Sequence, residues 1–239
     1  MTAERRVTGP AGETSDNERL SRALEDGDYQ EVEVFKDNRQ TYSALIRLHG
    51  QSYVLKIPRD RNNRLWQRVL SLFRASEAAR HYRSMARLRE LGLKGPEPVV
   101  AVERRRWGVV LDSRLLYRFR KGRKATREDA PLILPHLLAL HDAGYLRNDP
   151  HAKNYLIDDG DVVFIDFRLT RPVLLRRFRL QRELALFLKT SPAAWDYLPG
   201  DIVCSWSLRL AVAFDEAARL IRHARRRLRG RSRLDESGH

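Results

Sequence analysis

Between residues 31 and 57 apolar positions gather in three short β-prone runs, EVEVFK (31–36), TYSALIRL (41–48) and QSYVLKI (51–57). Asp37-Asn38 and His49-Gly50 part them. Runs of that length, rich in β-branched and aromatic residues and broken by turn-forming pairs, predict three antiparallel strands joined by hairpins. The pattern then changes. Leu65, Val69, Leu72 and Phe73 recur at helical spacing, which predicts one long helix capped by Asn62 or Asn63 and stopped by Gly92. Glu77, four residues after Phe73, falls on its inward face. PEPVVAVE, WGVVLD and RLLYRF predict further strands, and Lys121-Gly122-Arg123-Lys124 a polar hinge.

Beyond the hinge, Thr126 and Asp129 have capping-box spacing and open an apolar helix, PLILPHLLALHDAG, that ends at Gly144 with Pro135 in its middle. LQRELALFLK and SLRLAVAFDEAARLIRHARRRLR carry helical periodicity too. Residues 1–27 are polar, with Gly, Pro, Ser and Thr and no period, and predict a flexible arm. The expected organisation is that arm, a β-rich lobe over 28–122 with a single long helix, a mainly helical lobe over 123–220, and a basic tail over 221–239. The fold class is α+β.

A chain of 239 residues with 42% hydrophobic positions has enough apolar side chains for a substantial core, which excludes a disordered or fibrous protein. Cys204 is its one cysteine, so no intrachain disulfide forms, and a reducing compartment fits. The N-terminal residues lack the apolar stretch of a signal peptide, and no run of about 18 apolar residues occurs. The expected location is cytoplasmic. Lys and Arg number 46 against 31 Asp and Glu, a net charge of +15 that attracts polyanions: nucleic acid, anionic lipid or a phosphorylated substrate. Seven arginines between Arg222 and Arg233, with RPVLLRRFRLQR upstream, form either a solvated basic helix or a docking element for an anionic leaflet. The latter is worth on the order of 1 kcal/mol per basic residue.

The chemistry lies in a series of five residues. Asp149 and Asn154 have the spacing D-x-x-x-x-N, Asp166 ends the apolar run DVVFI, Lys56 ends YVLK, and Glu77 follows on the helix. A cation for nucleotide phosphates, a carboxylate to position it, a base near an acceptor hydroxyl and oxygen ligands for magnesium are the requirements of phosphoryl transfer.

From about residue 30 to residue 190 the chain resembles the protein-kinase-like superfamily, and within it the bacterial lipopolysaccharide core heptose kinases. VLK, ASEAARHY, NDPHAKN and IDF carry the broad likeness. YVLKIPRDRNNRLWQRVLSLFRASEA, LGLKGPEPVVAVERRRWG and the D-P-H-x-x-N loop carry the narrower one, to the kinase acting on the second heptose. The resemblance implies a two-lobe kinase-like fold, Lys56 paired with Glu77 on the phosphates of ATP, Asp149 as catalytic residue, and Asn154 and Asp166 as magnesium ligands. It also implies a core saccharide as substrate and a peripheral place on the anionic inner face of the inner membrane, with no nucleic-acid partner. Two departures stand out. No glycine lies between Lys36 and Tyr42, where protein kinases cover the phosphates, and Arg168 replaces the glycine of D-F-G. Alternatives are a kinase with a protein or other small hydroxyl acceptor, and a catalytically weak scaffold binding membrane or nucleic acid through its basic face.

Overall fold

The structure is a computed structural model that describes residues 4–10, 12, 14–59, 74–214 and 217. The chain forms two compact units, Met1–Arg123 with Leu156–Arg168, and Lys124–Tyr155 with Leu169–His239. Asp166, grouped by the sequence with the second lobe, clusters with the first unit.

The first unit is built on β1 (Glu4–Thr8), α1 (Thr14–Asp26), β2 (Gln30–Asp37), β3 (Thr41–Leu48), β4 (Gln51–Pro58), α2 (Glu77–Glu90), β5 (Pro98–Arg106) and β6 (Val109–Arg118). Its six strands form an antiparallel sheet in the order β1-β5-β6-β4-β3-β2. Two of its hairpins turn on two residues with positive φ, His49-Gly50 and Trp107-Gly108. That backbone twist matches the flanking strands, and glycine adopts the second position without steric cost. WGVVLD and RLLYRF therefore belong to one strand, β6, with Trp107-Gly108 as the turn before it.

Residues 4–26 are not the structureless arm expected. β1 pairs with β5, and α1 buries Leu20, Ala23 and Leu24 against Ala44, Ile46, Leu48, Leu55, Val100, Val102 and Leu116. The three α1 residues sit at i, i+3 and i+4, so one narrow apolar stripe suffices to dock an otherwise polar helix.

α2 contacts β5, β6 and β4. It begins at Glu77, where Ser76 Oγ caps it by accepting from Ala79 N (3.1 Å). The long helix expected through residues 74–76 is thus interrupted, and its predicted start, with Asn62, Asn63, Leu65, Val69, Leu72 and Phe73, lies outside the described residues. A buried ion pair fixes the cap. Glu103 Oε2 accepts from Ser76 N (3.0 Å), Glu103 Oε1 accepts from Arg105 Nε (2.7 Å), and Arg105 Nη2 reaches Arg74 O (3.0 Å). Burial opposes the charge of Glu103, but the Arg105 and Ser76 hydrogen bonds outweigh it and lower its pKa.

β8 (Tyr155–Asp158) and β9 (Asp161–Phe164), numbered after the two-residue β7 (Arg123–Lys124), make a hairpin through Asp159-Gly160, again with positive φ at both positions. In the second unit, α3 (Ala130–Asp142) runs through Pro135, and α4 (Arg176–Thr190) buries Leu184, Ala185, Phe187 and Leu188. The 3-10 turn Pro192–Tyr197 packs on both helices, and helical residues 206–214 add Leu208 and Ala211 to the buried set. The basic tail over 221–239 lies outside the described residues.

Leu24 is fully buried in the α1 stripe. Leu24→Ala should lower stability by about 3 kcal/mol, the usual cost of such a cavity, read from the midpoint of urea unfolding. An unchanged midpoint would return residues 14–26 to an unpacked arm.

Candidate active site

Side chains alternate along β4, so Leu55 enters the core shared with α1 while Lys56 emerges on the other face of the sheet. There its ammonium donates to Asp166 Oδ1 at 2.7 Å, across 110 residues of sequence. Lys56 is largely enclosed, with 16% of its side chain exposed, whereas 64% of the Asp166 side chain is open to solvent. The Lys56 charge lowers the Asp166 pKa despite partial burial, and His81 and Lys36 act in the same direction. Asp166 is held ionised.

Its backbone sits in the left-handed region, with φ of 48°. The neighbours fix it there. Phe164 N bonds to Lys94 O (2.9 Å), Lys94 bonds to Asp161, and the rings of Phe164 and Phe167 meet edge to face at 6.1 Å. Phe167 is fully buried beside Gly95, where a Cβ would collide with Leu88 at the end of α2.

Glu77 opens α2 with its carboxylate 3.6 Å from His81 Nε2, one turn along. Among the described residues, the ion pair of Lys56 is with Asp166 rather than with Glu77, the partner implied by resemblance. Lys36 stands opposite Ser43, and Ser43 opposite Lys56, so the two lysines share one cross-strand row. Tyr117, opposite Val54, hydrogen-bonds Ser43; burial foremost, and then Asp166, push its phenol pKa up. Phe119, just beyond β6, stacks on Phe35 with ring centroids 6.4 Å apart. Where protein kinases have a glycine loop, the β2–β3 turn is closed by Asn38 Oδ1, which accepts from the backbone N–H of Gln40 and of Thr41, both at 2.9 Å.

Asp149 and Asn154 belong to the second unit, in a loop organised by Glu183 of α4. Glu183 Oε2 accepts from Arg147 N (3.1 Å) and lies 2.9 Å from His141 Nε2, and Oε1 accepts from Asn148 N (2.5 Å). Two of these partners immediately precede Asp149, and the third is on α3. Asn148 takes a left-handed φ of 75°, which asparagine tolerates, and Leu146 pairs with Thr170 as an isolated bridge. Asn154 Nδ2 donates to Asp149 O (3.1 Å), and Arg147 Nη2 donates to Asn154 O (3.2 Å), closing the loop on itself. The Arg147 guanidinium lies over the ring of Tyr155, 4.3 Å from its centroid, and burial pushes the Tyr155 phenol up to about 12. The Asp149 carboxylate faces solvent, 3.5 Å from His151 Nε2.

No protein-family model and no curated protein matches the chain. A solved structure described as WaaP in complex with acyl carrier protein matches it over 87% of each chain, at 14% identity and a TM-score of 0.54. The fold is the kinase-like fold of WaaP. At that identity the likeness shows the fold alone.

Sequence reasoning missed Glu183, Lys36 and His81. Glu183 carried a signal, a lone acid immediately before the apolar run LALFL, since a carboxylate on an inward face requires hydrogen-bond donors. Lys36 and His81 carried none, because their relation to Asp166 depends on strand register and tertiary packing.

Two measurements follow. In Lys56→Met the Asp166 carboxyl should titrate at higher pH than in the wild type, read by carboxyl-carbon NMR. A depressed folded-state pKa stabilises the fold above the unfolded value and is lost as pH falls through the folded one, so Lys56→Met should flatten that acid limb. Glu183→Ala should cost about 1–3 kcal/mol of stability, because the buried Arg147 amide and the half-buried Asn148 amide lose their acceptor.

Proposed function

We propose that the chain is an ATP-dependent phosphotransferase acting on a heptose hydroxyl of the lipopolysaccharide inner core. The observation that carries this reading is the Lys56–Asp166 pair, formed between the end of β4 and the segment after β9. The D-x-x-x-x-N loop that presents Asp149, the kinase-like fold and the sequence likeness to core heptose kinases support it.

In this reading Lys56, with Glu77, positions the nucleotide phosphates. Asp149 hydrogen-bonds the acceptor hydroxyl and takes its proton as the oxygen attacks the γ-phosphorus, leaving ADP and the phosphorylated sugar. Magnesium, when bound, offsets negative charge on the phosphates. The residues present fit it. Asp166 offers an ionised, solvent-open carboxylate, and Asn154 turns its amide nitrogen to Asp149 O, which leaves Oδ1 as its ligating atom. Among the described residues no three His, Cys, Asp or Glu gather into a cage, and magnesium carried with phosphates needs only one or two protein oxygens. A peripheral place on the inner face of the inner membrane, with the basic tail toward anionic lipid, would suit such a substrate.

The test is mass spectrometry of core lipopolysaccharide lacking heptose phosphate after incubation with Mg-ATP. Wild type should add one phosphate, and Asp149→Ala should transfer at least about a hundredfold more slowly while binding nucleotide as before. Full activity in Asp149→Ala would remove Asp149 from the role, and transfer to Ser/Thr peptides but not to saccharide would reassign the acceptor.

A further inference from the structure

In the second unit, the residues leading into α4 expose apolar side chains that a buried core would ordinarily take. Val173, Leu174 and Leu175 are 90%, 77% and 75% exposed. Scattered surface leucines need no explanation, but three consecutive large aliphatics do. Leu175 also holds a left-handed backbone (φ 52°, ψ 38°) as the residue before the first turn of α4, a conformation that disfavours bulky side chains. The fold maintains this projection against a local cost.

The tip continues into a second apolar feature. Phe178, one turn into α4, meets Phe214 edge to face at 5.6 Å. Phe214 ends a stripe with Trp206 and Leu210 at i, i+4 and i+8 along helical residues 206–214, and all three are exposed. Basic groups surround the patch. Residues 171–182, RPVLLRRFRLQR, contain Arg171, Arg176, Arg177, Arg179 and Arg182 and no acid. Arg182 lies over Phe214 at 5.4 Å, which holds its guanidinium at the border of the apolar surface, and Arg171 lies over Tyr145 at 6.0 Å.

We propose that this face seats the protein on an anionic lipid bilayer, with Val173, Leu174 and Leu175 entering the acyl boundary, Trp206 at the headgroup level and the arginines on lipid phosphates. A run of five arginines with no acid among them suits an anionic leaflet, and an aliphatic tip distinguishes a bilayer from nucleic acid, whose backbone offers nothing to three exposed aliphatics. Among the described residues no helix is long and apolar enough to cross a membrane, so the contact lies on the surface. The bridge between Leu146 and Thr170 ties the start of this segment to the loop of Asp149, with Thr170 Oγ1 donating to Asn148 Oδ1 at 3.2 Å. A bilayer-seated tip would thereby hold that loop near the membrane plane. The inference rests on the proposed peripheral place at the membrane and adds the surface that makes the contact; vesicle binding reads it independently of phosphoryl transfer.

The test is flotation of the full chain with phosphatidylcholine vesicles that contain or lack phosphatidylglycerol, at low and high salt. Wild type should float with the anionic vesicles, less so at high salt, and not with the neutral ones. Leu174→Asp/Leu175→Asp changes only exposed side chains and should reduce flotation at least tenfold with an unaltered circular dichroism spectrum. Arg177→Gln/Arg179→Gln should reduce it and weaken its salt dependence. Wild-type flotation by Leu174→Asp/Leu175→Asp would overturn the proposal, and so would binding to a nucleic-acid duplex or an acidic protein with no vesicle binding.

Discussion

Along β4 the alternation of side chains sends Leu55 into the core beneath α1 and Lys56 to the opposite face, and a slip of one residue in the β3–β4 register would exchange them. An ammonium would then enter an apolar core, and a leucine would replace the cation beside Asp166. The apolar residues of α1 oppose that slip. Leu24, Ile46, Leu55 and Leu116 are all completely buried in one cluster, so register and chemistry are enforced by the same packing.

The Lys56–Asp166 contact could be taken for the force that brings the two strand ends together, but its magnitude argues otherwise. With most of the Asp166 side chain open to water, such a pair is worth roughly 0–1 kcal/mol. Burial of Phe164 and Phe167 is worth several times as much, at about 1.5–3 kcal/mol per side chain. The hairpin of β8 and β9 is therefore placed by its aromatic residues and by the Phe164–Lys94 hydrogen bond, and the ion pair forms because packing has already set its partners. In the second unit the ranking differs. Glu183 is buried and accepts two backbone amides, so there the polar contact itself shapes the loop before Asp149.

The sequence made β3 and β4 legible to within a residue because both runs are β-prone and His49-Gly50 fixes the turn between them. It misled at α1, where three apolar residues in a polar helix give too weak a stripe for a periodicity argument, although the same three suffice once the sheet supplies their partners. WGVVLD and RLLYRF were divided because polar Asp112 and Ser113 interrupt the apolar pattern, while in the sheet Ser113 simply continues β6 opposite Glu103. For the candidate site, Lys56 and Asp166 were each legible at the end of an apolar run, but not as partners. The assignment of Lys56 to Glu77 came from resemblance, and the structure sets Lys56 on Asp166 and Glu77 beside His81.

The turn between β2 and β3 is closed without glycine. A glycine loop offers backbone amides to the ligand, but here the amides of Gln40 and Thr41 are engaged by Asn38 Oδ1, which gives a closed, polar turn. Backbone donation by those two residues is thus replaced by a hydrogen bond internal to the protein. In the proposed function the positive charge would have to come from side chains, and the register supplies a candidate: Lys36, at the end of β2, stands in the same row as Lys56 and already acts on the charge of Asp166. Because each sits on a strand rather than a loop, their positions are set by the pairing of β2, β3 and β4, with a register shift between Val34 and Lys36 that places the second cation opposite Ser43.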